Sequence, residues 1–137
     1  MKPRQSEQLV NVMRAKFDAQ RAEFEKILAK EAELRQALVH LSEQGSKSGH
    51  GEDAFARHRS GAEIAWRKWS GQRRSAINHD LANVLVLKAL AQKRLAVDFG
   101  RVEAMKSLQN VAAQSFRKDR ERRRTNIAFA DIILRAR

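Results

Sequence analysis

The chain has 137 residues, enough for one domain and short for two. It carries 28 Lys+Arg against 16 Asp+Glu, a net charge of +12, and no Cys, which excludes disulfides and Cys-based metal sites. One Pro and six Gly, the latter all between Gly45 and Gly100, are too few turn formers for a compact α/β or all-β domain, so composition favours a few long helices. The excess charge gathers toward the C-terminus. Residues 1–44 hold eight bases and seven acids, whereas residues 100–137 hold ten bases and four acids. Such a half-chain calls for an acidic protein surface, a nucleic acid or an anionic membrane.

Pro3 suits the first turn of a helix, where its missing N–H costs nothing. The segment after Met1 has no apolar core of the secretory kind, so no signal peptide is expected there. A first helix is predicted over about 3–44. Its apolar residues recur in heptads, one series being Val10, Phe17, Phe24, Glu31 and Leu38 and the other Met13, Gln20, Ile27, Leu34 and Leu41. Eight of these ten are apolar, which is the pattern of a coiled-coil seam. The polar members, Gln20 and Glu31, either fix register or face solvent. A helix of this length cannot bury its stripe alone and needs a partner.

Residues 45–51 read as a Gly/Ser linker. Glu52 and Asp53 then suit the first turn of a weak helix over 52–71, which Gly61 and Gly71 loosen. A second long helix is predicted over about 72–137. Ile77, Leu81, Val84, Lys88, Ala91, Leu95, Phe99, Val102, Met105, Leu108, Ala112 and Phe116 step by three or four, and Gly100 interrupts them at about 1 kcal/mol relative to Ala. The longest nearly apolar stretch, Leu81 to Ala91, is too short to span a bilayer.

The fold class expected is therefore all-α, with two long helices forming an antiparallel coiled-coil hairpin in a single domain over 1–137. The arms are unequal, and two registers satisfy the pattern. Either the hairpin is tight near the linker and the C-terminal helix overhangs, or residues 45–71 form a loose head and the two chain ends pair.

No motif points to catalysis. The Gly45–Gly51 segment lacks the spacing of a phosphate loop. His40, His50, His58 and His79 contain no pair at the i,i+3 or i,i+4 spacing that puts two imidazoles on one helix face. There is no Cys nucleophile, no G-x-S-x-G elbow and no sheet to hold a triad. No enzyme activity, metal or cofactor is expected.

Two segments read as binding surfaces. Trp66 and Trp69 share a helix face with Arg73; they serve either as core against helix 1 or as anchors with cationic flanks. Arg117, Lys118, Arg120, Arg122, Arg123 and Arg124 form a basic run, broken by Asp119 and Glu121. It lies beyond the regular heptads, and an apolar end follows it: Ile127, Phe129, Ile132, Ile133 and Leu134. Apolar residues at a terminus that would otherwise fray call for a partner. Nucleic acid is not favoured as that partner. The basic run follows the coil rather than preceding it, and no stacking aromatics alternate with the arginines. A membrane surface is disfavoured too, because charge and apolar residues separate along the helix rather than around it. Homodimerisation through Val10–Leu41 is a third option.

The whole pattern resembles the FliJ-type proteins of bacterial flagellar export and their YscO-type relatives in type III secretion. The resemblance rests on length, on arms nearly free of Gly and Pro, and on Trp66-Arg67-Lys68-Trp69 with Arg73-Arg74 and Asn78-His79-Asp80-Leu81-Ala82. The stretch Asp98-Phe99-Gly100-Arg101-Val102-Glu103-Ala104-Met105 adds to it. It covers nearly the whole chain. It implies a non-enzymatic coiled coil acting as a central stalk in the pore of a hexameric export ATPase. It further implies another surface on the export gate protein, contacts with export chaperones, and a place in the cytoplasm or at the inner face of the membrane. A stalk of that kind places both termini at the pore end, which suits the second of the two registers.

Overall fold

The computed structural model describes residues 3–48 and 61–136. The fold is all-α: two long helices, α1 (Pro3–Ser48) and α2 (Ala62–Arg135), pack against each other as an antiparallel coiled-coil hairpin. Among the described residues, no helix is long and apolar enough to cross a membrane.

α1 runs past the expected stop at 44. Gly45 lies inside its last turns, where Ser46 Oγ donates a 2.9 Å hydrogen bond to the Glu43 carbonyl. Lys47 in the last turn suits the negative end of the helix dipole. The end of the expected linker, residues 49–51, and the stretch 52–60 of the weak helix lie outside the described residues, as do Arg137, His50 and His58. α2 begins earlier than expected, at Ala62, and Gly71 does not interrupt it. Gly61 supplies the turn that starts it, with φ of +73°, a conformation that costs other residues about 1–2 kcal/mol. Its carbonyl accepts the first-turn bond from Ala65 N at 3.2 Å, and Glu63 faces the positive helix end.

These glycines make opposite predictions. Gly61→Ala is expected to destabilise the fold by about 1 kcal/mol, because alanine resists that φ. Gly71→Ala is expected to stabilise it by up to about 1 kcal/mol, because a Cβ there meets nothing within 4 Å and alanine favours the helix. Thermal melts followed by circular dichroism at 222 nm separate the two signs.

The chain divides into two compact units. One joins Met1–Ala19 with Leu95–Arg137, and the other is Gln20–Arg94. In the second unit Leu34 and Leu41 of α1 and Ile77 of α2 are buried, and Ile27, Leu38, Leu81, Val84 and Ala91 are half-buried. Both polar members of the α1 heptads also sit in the seam. Gln20 is half-buried, and Glu31 is buried. Lys88 Nζ of α2 donates to Glu31 Oε2 at 2.8 Å, while Arg35 Nε and Nη2 donate to Glu31 Oε1 at 3.1 and 3.0 Å. A charge at a seam position is tolerated when such partners meet it.

In the first unit Val10 of α1 and Val102 and Met105 of α2 are buried, with Met13 half-buried. Here the expected α2 stripe is corrected. Strict heptads counted from Ile77 reach Asp98 and those counted from Leu81 reach Gln109, and these residues face inward, Asp98 buried and Gln109 half-buried. Phe99 and Leu108 are exposed instead, because stepping to the nearest apolar residue leaves a seam that keeps its seven-residue period. Ala112 and Phe116 keep that period and are exposed because they lie where the start of α1 leaves them uncovered. Asp98 is met on its own helix by Arg101 at 3.4 Å. Phe99 still contributes from the flank, its ring centroid 5.8 Å from that of Phe17.

Candidate functional site: the projecting end of the second helix

The Phe17–Phe99 contact sets the register in the first unit. About 14 residues of α1 precede Phe17, so at equal rise on the two helices α1 is used up near residue 113. α2 continues to Arg135, roughly 22 residues or about 33 Å further. Every residue from Asn110 to Ala136 is exposed. The structure thus has the overhanging register: α1 pairs with α2 only as far as about residue 113, and the rest of α2 projects beyond it.

The overhang carries two bands. The first is Arg117–Arg124. At about 3.6 residues per turn its six bases reach every quadrant of the helix: Arg120 and Arg124, then Arg117, then Lys118 and Arg122, then Arg123. Among the described residues none of these six has an ion-pair partner, although Thr125 Oγ1 donates to the Glu121 carbonyl at 2.9 Å. The second band is the apolar tip. Ile127, Phe129, Ile132, Ile133 and Leu134 are 57–72% exposed. Ile127 and Leu134 share one side, Phe129 and Ile132 lie opposite, and Ile133 fills one flank. The remaining flank holds Asp131 and Arg135, which pair with each other at 3.2 Å.

A helix apolar on one face docks on a surface. A helix apolar on three sides wants to be enclosed. The cationic collar behind the tip favours an acidic surface.

The tryptophan segment lies elsewhere, at the start of α2 in the Gln20–Arg94 unit. Trp66 is half-buried and Trp69 is 49% exposed, with their ring centroids 5.0 Å apart. The pair is therefore neither full core nor a free patch. Glu63 holds Arg67 at 3.3 Å, while among the described residues Lys68, Arg73 and Arg74 have no carboxylate partner. The expected binding residues thus fall into two separate groups.

Among the described residues, no group of three His, Cys, Asp or Glu side chains could hold a metal ion. His40 and His79 are both exposed. Sequence reasoning missed the buried role of Asp98 and the exposed line through Val97, Leu108 and Val111; strict heptad counting would have found the first. Compared with protein-family models, with characterised proteins and with solved structures, the chain matches none.

Proposed function

We propose that the chain is a non-enzymatic central-stalk or adaptor subunit of a flagellar or type III export apparatus. Its projecting tail enters the pore of the hexameric export ATPase. The tryptophan segment is the second contact surface, directed at the export gate protein, and export chaperones are further partners. Its place is the cytoplasm, peripheral at the inner face of the membrane. The observation that carries this reading is the two-band tail: a collar of unpaired bases on every side, then an exposed tip apolar on three sides. Such an object fits a sleeve with acidic walls and an apolar bearing, and a flat surface would leave half of it uncovered. The overhang register means that α2 alone would line the pore, with the start of α1 at its mouth.

The unpaired bases also support a second reading, a coiled-coil binder of nucleic acid or of an anionic membrane surface. One experiment separates the two. The purified chain is titrated, at two salt concentrations, against the export ATPase and against random duplex DNA while ATP hydrolysis is followed. The stalk reading expects saturable binding and faster hydrolysis, both lost on deleting 117–137 and on Ile127→Asp with Phe129→Asp. Binding to DNA that collapses with salt, and no effect on the ATPase, would overturn it.

A further inference from the structure

In the unit that joins Met1–Ala19 with Leu95–Arg137, α2 shows apolar residues in two directions. Val102 and Met105 are buried under α1. Val97, Leu108 and Val111 are 52%, 63% and 63% exposed and lie along a second line, about a third of a turn away. Ala104 lies on that line and Gly100 at its edge. A helix with apolar stripes in two directions has the pattern of a helix packed by two neighbours. α1 is one of them.

Gly100 is the second observation. It sits in mid-helix, where glycine is disfavoured, and a Cβ there would meet nothing within 4 Å. Packing inside the chain therefore does not require it. A third helix crossing closely at Gly100 and Ala104 would.

Charge selects the occupant. This unit contains 14 bases and seven acids, so a second copy would set like charge against like. Arg101 borders the line, and Lys118 and Arg122 continue the same side, outnumbering Asp119.

We propose that the side of α2 from Val97 to Val111 is a docking surface for an acidic amphipathic helix of another protein, packing there as a third helix of the stem. The inference goes beyond the stalk reading and does not depend on the apolar tip.

The test uses the full chain and three labelled helical peptides, read by fluorescence anisotropy. The first has a leucine stripe flanked by glutamates. The second has the same stripe flanked by lysines. The third keeps the glutamates and scrambles the stripe. The first is expected to bind saturably and the other two to bind weakly or not at all. Leu108→Asp should weaken the first by at least about tenfold. Gly100→Ala should raise the melting temperature yet weaken binding, whereas Gly71→Ala should raise the melting temperature and leave binding unchanged. The tip variant Ile127→Asp with Phe129→Asp should bind the peptide normally, and Leu108→Asp should stimulate the ATPase normally, so the two sites fail separately. Equal binding of the scrambled or lysine peptide would overturn the proposal. So would indifference to Leu108→Asp, loss of peptide binding in the tip variant, or Gly100→Ala behaving like Gly71→Ala.

Discussion

Replacing Ile77 with alanine is expected to lower the stability of the fold by about 2–3 kcal/mol, near the low end of the range for buried isoleucine. Ile77 is the most enclosed residue of the core, 4% exposed. Deleting its three outer carbons removes apolar area from a two-helix seam that has no second layer behind it. The low end is appropriate because helices in a hairpin can close partly over the gap. Ile64 is the internal control: it has the same side chain on the same helix but is 72% exposed, and Ile64→Ala should stay within about 0.5 kcal/mol. Urea unfolding followed at 222 nm gives both values. Equal effects at the two positions would mean that the seam is not where the structure places it.

The fold was legible because the heptads of α1 are nearly unbroken. All ten of its expected seam positions, Val10 through Leu41, are buried or half-buried, including the polar Gln20 and Glu31. Register was not legible, because a seven-residue repeat fits itself again after each shift of seven. What settles it is chemistry at single positions: Glu31 meets Lys88, and Phe17 meets Phe99. The helix starts and stops were misread at glycines. Gly45 and Gly71 are carried through by the helix around them, while Gly61 acts as a turn through its positive φ. Glycine is a breaker only where neighbouring packing does not outweigh roughly 1 kcal/mol.

The placement of the candidate site was legible in part. A basic run followed by an apolar end reads as a projecting segment, and the overhang exposes all eleven of the tail residues singled out, from Arg117 to Leu134. The tryptophan pair was ambiguous in the sequence and is intermediate in fact, with Trp66 half-buried and Trp69 exposed. The outer line of α2 is hidden in the sequence because Leu108, three residues from Met105 and four from Ala112, fits the inner stripe as well. Asp98 takes the seam position next to Phe99 because the seam follows its period rather than apolarity. Asp98 is buried at the seam with Arg101 beside it, and Phe99 stays on the flank.

The second large effect is expected at the charged position of the seam. Glu31 is buried between Lys88, which donates at 2.8 Å across the hairpin, and Arg35, which donates at 3.0 Å from the next turn. The hydrogen bond from Lys88, then that from Arg35, holds the Glu31 carboxyl below its ordinary value of 4.5, while burial acts the other way. Lys88→Met removes the cross-helix donor and leaves a buried carboxylate with Arg35 alone, so it should be the most destabilising polar substitution in the chain. Replacing both Glu31 and Lys88 with leucine should instead match or exceed the parent in melting temperature, because an apolar pair fills the same seam without desolvating charges. The parent should also carry a pH dependence from Glu31 that the double variant lacks. A carboxyl with a depressed pKa in the folded state stabilises the fold above its unfolded value, and that contribution is lost as pH falls through the folded pKa. The other carboxylates are common to both proteins, so the difference between their melting curves isolates Glu31. Below about pH 4.5 the gap between them should widen in favour of the double variant. Register is the further readout. With the ion pair gone, a shift by one heptad no longer strands a charge, and disulfide trapping between cysteines placed at 17 and 99 should become less efficient. A double variant that melts far below the parent would show that the pair contributes net stability rather than alignment.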